Sequence, residues 1–412
     1  MKILMLGPWV PSARYPVEGE RLLRFARHLL QSHELTLAFA TDVPDYSATI
    51  LALRAEFKDM EFAIVPRRLR RLWSAVRLLA KASVDLTYFD SAALRTRLRD
   101  RERAAPFDVV YATSAGMIRH ALDLERPGAL VIDFGELDSV WWERRALGSS
   151  RLKARLYRDE AARVRELEHA AARRAAVCMV SSVQAGDRIA SFAPGGSVVV
   201  VPNGVDPERY PEGFRRATDP VIAFAGSLEG VAGLDAVTEF CRAVLPAIRA
   251  RVRGASVVIP GRYLPRSARS LARLPGVEIV RNAGDLRALL RRAAVAVSPL
   301  ADSNGGRQGA LEAMAAGVPL VATRKNLNGQ WTAFEREVYV RDDPRALARR
   351  LVELLSSKSM RAEAGSRGRA YVRASHSWEA AAVRVSQVVD RVMSPPRAVS
   401  RRAAGTEERA SL

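Results

Sequence analysis

The sequence predicts an α/β chain of two doubly wound units, each a parallel sheet with helices on both faces. Short apolar runs alternate with segments at helical spacing along most of the 412 residues. The pattern pauses at a polar, proline-rich stretch, 207–220, and then restarts. Each half also opens on a strand that ends in glycine, Gly7 and Gly226. The expected boundaries are 1–206 for the first unit, 207–220 for a linker and 221–376 for the second unit. A last helix over 377–393 is placed to cross back to the first unit, ahead of a solvated tail at 394–412.

In the first unit the expected strands are Ile3–Leu6, Leu35–Ala40, Phe62–Val65, Val109–Ala112, Leu130–Phe134, Val177–Ser181 and Val198–Val201. Helices are expected over Arg21–Leu30, Ser47–Lys58 and the charged stretch Ser150–Ala175, and a turn at Pro202–Asp206 uses the Asn203-Gly204 pair. In the second unit the strands are Val221–Ala225, Ser256–Pro260, Val277–Val280, Ala294–Val297 and Leu320–Ala322. Its helices are Leu234–Ala250, Leu286–Ala293, Ala346–Ser356, Met360–Ala374 and Trp378–Met393.

The most informative stretch is 294–323, AVAVSPLADSNGGRQGALEAMAAGVPLVAT. A buried strand leads through a loop with paired glycines, Gly305 and Gly306, into a helix that carries Glu312 and stops at Gly317-Val318-Pro319. Free amides and the positive end of a helix dipole suit an anion at the carboxyl edge of a strand. A carboxylate farther along that helix suits a ribose diol. The same pattern also fits an ordinary βαβ crossover with a loop.

Composition narrows the class. Hydrophobic residues make up 48% of the chain, and two cysteines, Cys178 and Cys241, lie in apolar segments, which fits a reduced compartment. The five histidines, at 28, 33, 120, 169 and 376, show no metal-ligand spacing, and no Asp-x-Asp pair occurs. The start, MKILMLGPW, reads as a strand rather than a signal peptide, and no apolar run has transmembrane length without Gly or Pro breaks. A cytoplasmic protein is expected, with a peripheral place on the inner face of the cell membrane left open. The net charge of +20 fits either a GC-rich, arginine-heavy composition or an anionic partner. Nucleic acid is not expected, because no reading helix, aromatic ladder or zinc module accompanies the charge. In Pro66–Lys81, Leu69, Leu72, Trp73, Val76 and Leu79 repeat at helical spacing, with the basic residues of Arg67–Lys81 mostly on other faces. That fits an interfacial helix on anionic lipid, and equally a domain helix with its stripe in the core.

With both halves in view, the chain resembles the GT-B-fold glycosyltransferases of family 4, and more closely the bacterial sugar transferases of exopolysaccharide systems. The residues that carry the resemblance are VPNGVD at 201–206, AFAGSL at 223–228, VVIPGR at 257–262, LEAMAAGVPLVAT at 311–323 and ASHSWEAAAVRV at 374–385, with a Gly-acid-basic turn at Glu18-Gly19-Glu20-Arg21. The resemblance implies two Rossmann-like domains facing across a cleft and a nucleotide-sugar donor on the second; no cofactor is expected, and the missing Asp-x-Asp pair speaks against a carboxylate-bound metal. It implies Glu312 on the donor ribose, Gly305 and Gly306 at the diphosphate, Val280 and Arg281 at the base, and Gly7 and Gly19 near the donor sugar and phosphate. Three positions depart from it. Asn304 stands where a glutamate is common, and Ser227, after Gly226, and Ala232 stand where an arginine and a lysine usually hold the diphosphate. Arg262 and Arg307 are the expected replacements, because a guanidinium fork suits a diphosphate. Surface arginines are the plain alternative.

The acceptor side needs a proton acceptor in the first unit. The segment Asp133-Phe134-Gly135-Glu136-Leu137-Asp138 holds no histidine, so Asp133 and Asp138 are the catalytic candidates, with a helix cap as the other role for Asp138. His120 reads as a helix residue. The expected activity is transfer of a sugar from a nucleotide-sugar to a glycan or lipid-linked acceptor, with the retention the family implies. The alternative is a non-catalytic GT-B protein that binds a sugar nucleotide or glycan. A sugar-nucleotide epimerase would need clustered histidines and carboxylates, which the sequence does not show.

Overall fold

The computed structural model describes residues 1–11, 17–41, 47–65, 83–147, 149–211, 213–214, 220–226, 231–261, 266–281, 286–298, 304–323 and 339–393. Pro66–Lys81 and the tail from 394 lie outside them.

The first unit is a seven-stranded sheet of β1 (Lys2–Pro8), β2 (Glu34–Thr41), β3 (Met60–Ile64), β4 (Val109–Thr113), β5 (Ala129–Gly135), β6 (Val177–Val180) and β7 (Val198–Val200), in the order β3-β2-β1-β4-β5-β6-β7. Every pairing is parallel. Strands buried on both faces explain the near-continuous apolar runs. Ile3 and Met5 face one helical layer, while Leu4 and Leu6 face the other.

The second unit repeats the plan with β8 (Val221–Phe224), β9 (Ser256–Gly261), β10 (Val277–Arg281), β11 (Val295–Ser298), β12 (Leu320–Ala322) and β13 (Tyr339–Val340), in the order β10-β9-β8-β11-β12-β13. In each sheet the order reverses once, between β1 and β4 and between β8 and β11. Such switch points open a crevice at the carboxyl ends of the strands, and they are where these sheets bind ligands.

Serine and aspartate caps start many of the helices. Ser47, Ser83, Ser91, Ser182 and Ser357 each accept the amide three residues on, as does Asp343. The helical stretch expected at Leu234–Ala250 is present but widens to a π turn at Phe240–Val244. Pro246 follows at once, and its ring and missing N–H do not fit a regular α-turn.

The structure corrects two expectations. Glu18–Arg21 is not a turn but the start of the helix Val17–Leu30. Within the 207–220 stretch, Tyr210 is fully buried in the second unit's core and packs edge-on against Phe214 at 5.3 Å. The strand β13 has no counterpart in the expected series. It is two residues long and is defined by its pairing with β12.

The last helix, Trp378–Met393, packs on the first unit. Trp378, Ala381, Val385 and Val389 share a core layer with Ile3, Met5 and Phe25. The chain returns at the Pro202–Asp206 turn, where Val205 N–H donates to His376 O at 2.9 Å and Trp378 N–H to Val205 O at 3.3 Å. Only glycine fits beside that crossing, since a Cβ on Gly204 would lie 2.6 Å from Trp378 N. At the same crossing, burial, with Arg384 nearby, pushes the His376 imidazole down to about 4. Above the unfolded value of about 6.5 the ring is neutral in both states; as pH falls towards 4, only the unfolded chain gains the proton, so stability drops across that window. With the ring's partial exposure discounted, the loss is on the order of 2 kcal/mol. Urea titrations at several pH values should show a steeper acid loss for the native chain than for His376→Gln; equal slopes would refute this.

Candidate functional site

The carboxyl edge of the second sheet gathers the donor-side candidates. Gly226, half-buried, follows β8, Val280 and Arg281 close β10, and the helix Asn304–Ala315 follows β11. Asn304, Gly305, Gly306 and Arg307 form its first turn, whose amides have no intrahelical partners. Glu312, half-buried, sits two turns on in the same helix. Ser227 and Arg262 lie outside the described residues, as do the side chains of Arg281, Asn304 and Arg307.

The edge is built tightly. Ser298 Oγ donates to Ala225 O at 2.9 Å, and Ala225 N–H donates to Val297 O at 2.9 Å, which locks the ends of β8 and β11 together. The helix rests directly on that junction, because a Cβ on Gly309 would meet the Ala225 carbonyl carbon at 3.0 Å. Gln308 Nε2 reaches across to the first unit and donates to Gly204 O at 3.4 Å. Sequence reasoning passed over Gly309 and Gln308; the signal available was a third glycine one turn into the helix.

The first-unit candidates divide. Asp133 is fully buried, and its carboxylate takes Arg21 Nε at 2.7 Å and Nη2 at 3.2 Å, Gly135 N–H at 3.0 Å, and the Tyr111 hydroxyl. Arg21 Nη1 donates onward to Val201 O at 2.8 Å and Asn203 Oδ1 at 3.0 Å. Burial works against the Arg21 charge, yet Asp133 holds it above its ordinary range, and burial with Asp133 pushes the Tyr111 phenol well up. Asp133 is therefore the counter-ion of a buried arginine, closed to an acceptor hydroxyl. Asp138 is half-buried at the carboxyl edge and accepts Ala115 N–H at 2.9 Å, capping a neighbouring helix, Ala115–Leu122, rather than its own. Gly7 is a packing glycine, its Cβ position filled by Leu22 Cδ2 at 2.0 Å, and Gly19 is buried within the first helix. His120 is buried in the Ala115–Leu122 helix, and burial lowers its pKa.

Backbone conformation marks the first sheet's switch point independently. Among the described residues the two non-glycine positions with positive φ are Trp9, 59°, and Ser114, 62°. They follow β1 and β4, the strands on either side of the order reversal. Such strain is kept where the surroundings over-determine it, commonly at functional sites. The buried Ser114 Oγ has no hydrogen-bond partner among the described residues. Neither residue carries a sequence signal beyond following an apolar run. Cys178 and Cys241 are free and buried, and burial pushes both thiols up to about 11.

Two parallel sheets, each with one switch point, and a last helix that returns to the first unit define the class as a GT-B-type α/β protein. Residues 219–357, the segment holding the donor-side candidates, match the family model of the group 1 glycosyl transferases. Solved structures agree on the fold over nearly the whole chain. Sucrose-phosphate synthase from Thermosynechococcus elongatus is 16% identical with a TM-score of 0.64, covering 95% of this chain and 98% of that one. Anabaena HepE in complex with UDP and glucose is 15% identical with a TM-score of 0.60, covering 95% and 100%. TarM is 9% identical with a TM-score of 0.65, covering 96% and 99%. No match was found among curated protein sequences.

Proposed function

We propose that the protein transfers a sugar from a nucleotide-sugar, bound at the carboxyl edge of the second sheet, to a glycan or lipid-linked acceptor at the first, with retention of configuration. The observation that carries this reading is convergence: Gly226, Val280 and the Asn304–Arg307 turn come from three separated stretches to one sheet edge, with Glu312 two turns along the same helix, inside the segment matching the glycosyl transferases. The departing diphosphate is met by the first-turn amides and by Arg262 and Arg307, and Glu312 accepts the ribose hydroxyls. Asp138 is the carboxylate left to orient an acceptor hydroxyl. The enzyme needs no cofactor or metal and works at the cytoplasmic side of a membrane; among the described residues no helix is long and apolar enough to cross one.

The test is a calorimetric titration with UDP-, GDP-, ADP- and dTDP-sugars, UDP-glucose first because HepE was solved with it. One nucleotide should bind, and Glu312→Ala should weaken it by about 100-fold, the loss of a charge-assisted pair of hydrogen bonds. Unchanged affinity in Glu312→Ala would sink the site. Asn304, where related enzymes often carry a glutamate, favours a second reading, a sugar-nucleotide-binding protein without catalysis. Donor binding with no nucleotide release on any acceptor would select it.

A further inference from the structure

We propose that the helical hairpin formed by Asp138–Ala146 and Arg151–Arg174 is a peripheral docking surface for an anionic lipid bilayer. Three large apolar side chains stand in solvent around its turn: Trp141 is 51% exposed, Leu147 68% and Leu152 73%. A single exposed leucine is ordinary, but three around one turn form a patch. Trp141 packs edge-on against Trp142 at 4.8 Å, and Trp142 against Tyr157 at 5.6 Å. The guanidinium of Arg145 lies 4.6 Å over the Trp141 ring and 5.5 Å over the Tyr157 ring. Tryptophan, tyrosine and arginine with a buried stem are the side chains that settle at a lipid headgroup boundary.

Charge chooses the occupant. Arg144, Arg145, Arg151, Lys153, Arg155 and Arg158 are all exposed around the same turn. Of the three acidic residues in 138–159, Asp138 caps the Ala115 amide and Glu143 pairs with Arg165, which leaves Asp159 exposed. A second copy on a two-fold axis would set this cationic patch against itself. A neutral glycan gains nothing from the leucines, and one face of the Trp141 ring is already covered by Arg145. An anionic bilayer satisfies both the apolar and the cationic parts.

The hairpin is rigid. Buried Glu168 accepts the Ser139 amide at 3.0 Å and the Ser139 hydroxyl, and Arg165 pairs with Glu143, so the two helices are pinned side by side. Its first helix starts just after β5 ends, at the same carboxyl edge as Trp9 and Ser114. Docking there would bring a membrane-held acceptor to the strained edge of the first sheet. That consequence rests on the transferase reading; the docking itself does not.

The test is co-sedimentation of the full chain with phosphatidylcholine vesicles, alone or containing phosphatidylglycerol at roughly three parts in ten. The native chain should pellet with the anionic vesicles and release as salt rises. Leu147→Asp/Leu152→Asp, with an unchanged Tm because both sites are exposed, should lower partitioning by about 10-fold or more. Arg151→Glu/Arg155→Glu should lose the preference for anionic lipid. Failure of the native chain to pellet, or native-like pelleting of both variants, would overturn the proposal. So would a concentration-dependent dimer that the leucine variant loses in the absence of vesicle binding. Donor titration does not involve this surface, so failure here leaves the donor site standing.

Discussion

Asp133→Ala is expected to cost about 3–5 kcal/mol of stability, because it strands a buried arginine charge. Arg21 is 4% exposed and gives Nε and Nη2 to that carboxylate, while its Nη1 holds Val201 O and Asn203 Oδ1. Taking one partner from a buried ion pair leaves the other desolvated with no compensation, and Tyr111 and the Gly135 amide lose an acceptor as well. Arg21→Met added to Asp133→Ala should cost little more, since the stranded charge is then gone. That non-additivity marks the pair as one unit. Urea titration of the two single variants and the double variant reads it directly. If Asp133→Ala instead kept native stability and lost only turnover, Asp133 would return as a catalytic group. The network also explains the turn at Pro202–Asp206. Arg21 holds its start, and Arg24, one turn on, pairs with Asp206 at 2.8 Å, so the first helix sets where the chain leaves the first unit.

This is also where sequence reasoning stopped short. The strands were legible because a parallel sheet covered on both faces needs apolar runs, and Ile3–Leu6, Val109–Ala112 and Val295–Val297 could hardly be anything else. The strand–helix unit at 294–323 was legible because an apolar run, paired glycines and a Gly-Val-Pro stop are a local pattern. Asp133 was not. It falls near the end of the expected strand Leu130–Phe134, where a carboxylate can face a site, and the residue that pairs with its charge lies 112 positions away. Asp138 reads as a catalytic candidate or as the cap of its own helix, but the helix it caps begins 23 residues earlier. Tyr210 falls in a polar, proline-rich stretch, and only the packing shows that it belongs to a core. Trp9 and Ser114 owe their position to backbone strain, which no residue type in that context announces. Contacts between distant segments decide all of these, and one sequence carries no direct record of them.

Trp378→Ala is the second large effect, about 3–5 kcal/mol, and it should fall on the first unit although Trp378 follows the second in the chain. The side chain is 2% exposed and meets Phe25 edge-on at 6.3 Å. Its removal opens a cavity where the last helix enters a layer shared with Ile3, Met5, Phe25 and Leu29. Trp378→Phe keeps a ring against Phe25 and should cost roughly a third as much. Hydrogen exchange locates the loss: faster exchange at Ile3–Leu6 and Phe25–Leu29 is expected, whereas loss confined to Val221–Ala225 would assign the helix to the second unit. Function should separate in the same way. The chain crosses between the sheets near Val205 and again at His376–Trp378, and Gln308 ties the donor-side helix to Gly204 at that point. The proposed donor edge lies wholly within the second unit, so donor affinity should survive the substitution. Transfer needs both edges held in one geometry, where a misplacement of about 1 Å costs on the order of 100-fold. A variant that binds donor normally yet transfers slowly would show that the crossing helix aligns the two halves of the site.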